Sequence, residues 1–203
     1  METPNKQQWT LLRITCYLLY RLIAKRLPDD LGPAGRASRW LRRVLIRPLL
    51  KESEGLFNVY QGVDFGNGSC VVMRDHANLG PGCMISGSGT VTVGRHVMMG
   101  AECMVITQNH KYLPSGYDGV TIKDVLIDDN AWLGHRVILL PGVRVGQHAF
   151  VGAGAVVRRD VSDCCIAVGV PARVIRDHRS AVACGAPYIS GWELVWLGGS
   201  APL

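Results

Sequence analysis

Between Met73 and Val161, aliphatic residues return every six positions, a period that fits neither an α-helix nor one long strand. From Ile127 the series runs Ile127, Leu133, Leu139, Val145, Val151 and Val157 without a slip. Four residues after each comes a second compact side chain: Ala131, Val137, Val143, Ala149, Ala155 and Val161. Upstream the same pattern reads Met73, Leu79, Ile85, then Val93, Met99, Val105, with a two-residue insertion between the triplets. Its small column is Ala77, Cys83, Gly89, Val97 and Cys103. Gly80, Gly94, Gly100, Gly134, Gly146 and Gly152 directly follow their aliphatics, where a sharp corner benefits from a residue without Cβ. Each hexad is thus a short strand plus a corner. Three such sides close a triangular coil, coils stack through parallel hydrogen bonds about 4.8 Å apart, and the two columns fill the prism. The class is all-β, a parallel β-helix of about four coils.

Composition agrees with a solenoid. The chain has 24 Gly, only 3 Phe and a charged fraction of 19%, which suits tight repeated turns around an aliphatic core. The net charge of +6 is uneven, because eleven of the 22 Lys and Arg lie in residues 1–51 against three of the 16 acids. A basic lead joins a nearly neutral body, and the body carries no nucleic-acid footprint. Seven cysteines in no C-x-x-C or secretory pattern point to a reducing cytosol.

The repeat breaks once, between Ile106 and Leu126, in a polar, turn-forming stretch that reads as a loop (106–126) thrown out of the coil. Before the repeats, Leu11, Ile14, Leu18 and Leu22 share one helical face while Arg13, Tyr17, Arg21 and Lys25 share another. That helix ends at Leu27-Pro28-Asp29-Asp30. A second runs from about Ser38 to Arg47, with Arg39, Arg42 and Arg43 outward and Trp40, Leu41, Val44 and Leu45 on the apolar side; Pro48 limits it. The longest uncharged run, Ile14 to Tyr20, falls far short of the roughly 20 residues that span a bilayer, and no small-residue cleavage pattern marks a signal peptide. The chain therefore divides into a helical lead (1–58), a β-helix (59–177) and a C-terminal tail (178–203) without repeat.

Several motifs follow one another in order: N-H in the break, N-A-W-L-G from Asn130, P-G-V from Pro141, V-G-A-G-A-V-V from Val151 and V-G-V-P-A-R-V-I-R from Val168. Over roughly Met73 to Asp177 this order resembles the hexapeptide-repeat acyltransferases, in their sugar and galactoside O-acetyltransferase branch. The helical lead looks closer to capsule and polysaccharide biosynthesis members. The resemblance implies a left-handed β-helix, although helical crossovers prefer the other hand. It implies transfer of an acetyl group from acetyl-CoA, as cosubstrate, to a hydroxyl of a sugar or glycan precursor. It also implies a homotrimer with active sites between subunits.

By the same resemblance His110 is the general base: the attacking hydroxyl must lose a proton, and imidazole, which titrates near neutrality, can accept it. Trp132 packs on the pantetheine end of the cofactor, and Gly134, Gly152 and Ala153 leave backbone bare for it. The corners and the inner column demand small residues at Gly152 and Ala153 equally. His135 stands where relatives more often carry a Ser that assists the oxyanion. Arg173 and Arg176 match positions that meet the nucleotide end of CoA, with Arg158 and Arg159 adding charge nearby, since a guanidinium fork fits phosphate oxygens. Ser88, Asn109 and Tyr112 are the acceptor-side residues. Polar positions of galactoside-type relatives appear here as Gly80 and Ser88, so the acceptor differs.

His76 and His96 sit three hexads apart and should stack on an outer face, but two surface histidines without a third ligand make a poor zinc site, so no metal is expected. Two further choices stay open on the sequence. A β-helix can serve as a non-catalytic scaffold or binding module instead of an enzyme. The basic helices can cap the open first coil, or provide a peripheral contact through residues 9–50 to an anionic membrane where lipid-linked glycans are built.

Overall fold

The computed structural model describes residues 10–29 and 32–177. The tail 178–203, Cys184 included, lies outside the described residues. The chain forms a left-handed parallel β-helix with a helical lead. Helix α1 (Leu11–Leu22) is followed by a 3₁₀ turn, Ala24–Arg26, and by α2 (Pro33–Ile46).

The first coil holds β1 (Glu52–Ser53) and β2 (Asn58–Val59), and Asp64 bridges to Met84 on the third side. The next two coils are β3 (Val71–Met73), β4 (Asn78–Leu79), β5 (Met84–Ser86), then β6 (Val91–Val93), β7 (Met98–Met99), β8 (Met104–Ile106). After the extruded segment come β11 (Val125–Ile127), β12 (Trp132–Leu133), β13 (Ile138–Leu139), then β14 (Arg144–Val145), β15 (Phe150–Val151), β16 (Val156–Val157). A last partial coil adds a bridge at Val161 and β17 (Cys165–Val168), against which β18 (Arg173–Asp177) folds back antiparallel.

Three sheets form the prism faces. The first face is β1-β3-β6-β11-β14; the second is β2-β4-β7-β12-β15-β17-β18; the third is β5-β8-β13-β16. The periodic hexads supply the four middle coils in the expected register, for example Val91↔Val125 and Leu133↔Val151. Coils before and after them join the stack although their sequence lacks the period. Both columns point inward: Ile127, Leu133, Leu139, Val145 and Val151 are fully buried, as are Val137 and Ala155.

The glycines after the aliphatics answer to stacking more than to turning. A Cβ on Gly80 would sit 2.4 Å from the Gly100 carbonyl oxygen, and one on Gly134 would sit 2.6 Å from the Ala153 nitrogen. The left-handed corner conformation falls instead on residues such as His76, His96, Asn130, Arg136 and His148, with φ between 55° and 60°.

The helical lead departs from the expected faces. On α2, Arg42 is fully buried and donates to the Ala24 and Leu27 carbonyls and to Asp29, whereas Trp40 and Val44 face out. The helix also begins earlier than expected, with Pro33 at its first turn, where a missing N–H costs nothing. On α1 it is Arg13, Cys16 and Tyr20 that are buried, and Leu11, Leu18 and Leu22 that are exposed. Backbone carbonyls at the open end of the prism need donors. Arg13 donates to Leu49 O at 2.9 Å and Tyr20 to Val63 O at 2.7 Å. Arg21 and Lys25 both reach Asp64 at 2.7 Å. Burial alone would raise the Asp64 carboxyl, but hydrogen bonds from Lys25, the Gly66 N–H and Arg21 hold it below its usual value.

Candidate active site

The break in the repeat is a hairpin, not an irregular loop: β9 (Gln108–Leu113) pairs antiparallel with β10 (Gly116–Ile122), with a bulge between Tyr117 and Val120. Its base is closed at Thr107, whose N–H donates to Ser86 O and whose carbonyl accepts from the Lys123 N–H, both at 2.9 Å. The Thr107 hydroxyl is buried, accepting from Gly89 N–H at 3.1 Å and donating to Ser86 O at 3.2 Å. This anchor explains the extra residues between Ile85 and Val93: Gly87 and Gly89 make room where a Cβ would press on Thr107. The hairpin leaves β8 on the third face and returns to β11 on the first, so it projects from the corner between them.

His110 lies on this hairpin, exposed and paired with Val120; its ring meets Tyr117 edge-on at 5.6 Å, and Tyr112 meets the same Tyr117 at 5.9 Å. Asn109, paired with Thr121, and the exposed Tyr112 share the hairpin. Ser88 sits on the connection between β5 and β6, the same corner one coil earlier. The four residues expected to handle base chemistry and acceptor thus occupy one corner. Tyr117 joins them. Sequence spacing alone could not signal this, because the contact needs the antiparallel pairing.

A second group gathers at the corner between the second and third faces. Trp132 stands outward on the second face, between Met98 and Phe150 in register, with its ring 4.8 Å from the Phe150 ring. Just beyond it, Gly134 and His135 stack over Gly152 and Ala153, the His135 carbonyl accepting from the Gly154 N–H at 2.8 Å. An open cleft of about 500 Å³ lies here, lined by Ala101, Glu102, His135, Arg136, Ala153 and Gly154. The His135 Nδ1 accepts the Ala101 N–H at 2.9 Å, so a neutral ring carries its proton on Nε2. Arg136 Nε donates to Glu102 Oε2 at 2.6 Å across the same cleft. Glu102 and Arg136 are opposite charges at equivalent hexad positions one coil apart, a sequence signal that was available.

The arginines separate. Arg173 and Arg176 lie exposed on β18 at the end of the second face, on the Trp132 side. Arg158 and Arg159 follow β16 and are exposed at the hairpin corner instead. His76 and His96 stack as expected, with ring centroids 4.9 Å apart and planes 19° apart. Among the described residues no three His, Cys, Asp or Glu side chains cluster as metal ligands.

The family described as bacterial transferase hexapeptide (six repeats) matches residues 124–159, the stretch that carries Trp132, His135 and Gly152. Over that stretch the chain is similar to the hexapeptide-repeat transferases. The chain is 39% identical over 92 residues to a galactoside O-acetyltransferase of Lactococcus lactis, a match covering 42% of each chain. It therefore spans less than half the length of that curated relative. Among solved structures, a maltose O-acetyltransferase from Clostridium difficile 630 superposes with a TM-score of 0.66 at 28% identity, covering 83% of this chain and 89% of that one. A hexapeptide-repeat acetyltransferase of Vibrio cholerae, solved with acetyl-coenzyme A, shares the fold at a TM-score of 0.69 and 23% identity, over 87% and 92% of the two chains.

Proposed function

We propose that this chain is an acetyl-CoA-dependent O-acetyltransferase acting on a hydroxyl of a sugar or glycan precursor. The observation that carries the reading is the division of the site residues between two prism corners. His110, Tyr112 and Tyr117 ride one corner, while Trp132, His135, Gly152 and Ala153 line the other. One chain cannot close such a site on itself. A homotrimer supplies both halves at each interface, the hairpin of one protomer meeting the corner cleft of the next. The likeness to galactoside and maltose O-acetyltransferases supports this class of acceptor.

The chemistry proceeds by direct attack. The acceptor oxygen adds to the thioester carbonyl while His110 takes its proton; the C–S bond then breaks, and the imidazolium returns the proton to the leaving thiolate. Charge that builds on the carbonyl oxygen finds a donor in His135 Nε2–H, a role its side-chain bond to Ala101 prepares. Arg173 and Arg176 on the second face suit the phosphates of the nucleotide end.

The decisive experiment follows release of CoA from acetyl-CoA with simple sugars, oligosaccharides and nucleotide-sugars, for the wild type and His110→Ala. Acceptor-dependent release that falls about 10³-fold in the variant supports the reading. Equal release from both proteins with every acceptor rejects it in favour of a binding scaffold.

A further inference from the structure

We infer that the outward face of the helical lead docks in the plane of an anionic lipid bilayer. The inference stands apart from acyl transfer and rests on the way α1 is mounted. An amphipathic helix normally turns its apolar side to the core. Here the side chains that pin it are polar: Arg13, Tyr20, Arg21 and Lys25 hold it to Leu49 O, Val63 O and Asp64. The helix cannot roll its leucines inward without breaking these contacts, three of which involve charged groups. Leu11, Leu12, Leu22 and Ile23 consequently stand 81%, 64%, 65% and 52% exposed.

The neighbouring helix, packed against α1, has an exposed stripe of its own. Arg36, Trp40 and Val44 are exposed and Arg43 is partly so, and at three- and four-residue spacing they form one outward stripe of α2. Leucines, a Trp and arginines on the exposed faces of two helices are the composition found at a headgroup boundary. Neither α1 nor α2 contains an Asp or Glu. The two helices thus offer apolar and cationic side chains and no acid of their own, complementary to anionic lipid. Two copies meeting through them would set arginine against arginine. No helix among the described residues is long and apolar enough to cross a membrane, and the 12 residues of α1 span only about 18 Å, which suits an in-plane position.

The test is co-sedimentation of the full chain with vesicles of phosphatidylcholine alone and of phosphatidylcholine mixed with phosphatidylglycerol. Binding is expected to the mixed vesicles only, to weaken with salt, and to fall at least about ten-fold in the triple variant Leu11→Ser, Leu18→Ser, Leu22→Ser. Arg36→Gln with Arg43→Gln should weaken it separately while leaving the leucines in place. Circular dichroism melting of each variant confirms the fold is kept, as expected for exposed positions. Absence of binding to mixed vesicles overturns the inference, as does binding that both variant sets leave intact. A triple variant that changes the mass of the assembly in sedimentation, with no vesicle binding by the wild type, assigns the face to another copy of the chain. None of these results depends on acetyl transfer, so the two readings fail separately.

Discussion

The imidazole of His135 is held by the backbone of the preceding coil: its Nδ1 accepts the Ala101 N–H at 2.9 Å, and the residue lines the corner cleft. In the proposed reaction this makes His135 a fixed neutral donor and His110 the group that moves protons. Substitution of His135 should therefore affect turnover more than binding. His135→Ala is expected to lower kcat by about 10²-fold with KM for acetyl-CoA changed far less, measured by steady-state CoA release. A variant that raises KM and spares kcat would make His135 a cofactor contact only.

Because the hairpin and Trp132 occupy different corners, two variants impaired in different halves of the proposed site should complement each other. His110→Ala and Trp132→Ala chains, unfolded together and refolded into mixed assemblies, should regain a fraction of the wild-type rate, since some interfaces then combine two intact halves. Activity that stays at the level of the separate variants would place the whole site within one chain.

Gly134→Ala should be strongly destabilising, by more than about 1–3 kcal/mol, because its Cβ would stand 2.6 Å from the Ala153 nitrogen and stacked backbones cannot yield. Gly66, in a left-handed conformation with nothing within 4 Å, pays only backbone strain when replaced by Ala and should melt closer to the wild type. Thermal unfolding of the two variants makes the comparison.

Asp64 ties α1 to the prism, and its folded pKa lies below the unfolded one. A carboxyl lowered in this way adds stability that is complete above the unfolded value of about 3.9 and is lost as pH falls through the folded value. Asp64→Asn should therefore melt below the wild type at pH 7, with the gap closing in the acid range below about pH 4. Melting curves across pH check this; a gap that persists unchanged in acid would mean the carboxylate charge plays no part.

The prism itself was legible in the residue order, since Ile127, Leu133 and Leu139 can all point to one axis only if the chain turns a corner every six residues. The stacking of His76 on His96 followed from the same arithmetic, as did the extrusion of a segment at Ile106 to Leu126. The pairing of that segment was not legible: its strands stand in solvent, meet across a bulge between Tyr117 and Val120 and are anchored by buried Thr107, so they lack the buried alternation of a core strand. Nor were the faces of the lead. Arg42 and Tyr20 are buried because carbonyls and Asp29 at the open end of the coil need donors, and those partners are distant in sequence.

Local periodicity is enough to dictate a β-helix, because each hexad has its neighbours one coil away at a constant separation along the chain. Which corner each candidate site residue occupies, and which side of α1 meets solvent, are settled by contacts between segments with no constant spacing. Trp132 and His110 are twenty-two positions apart, yet the intervening hairpin and the turn of the prism put them on different edges. Only the assembled coil, with its backbone groups seeking partners at the open end and its hairpin hinged on one threonine, decides such placements.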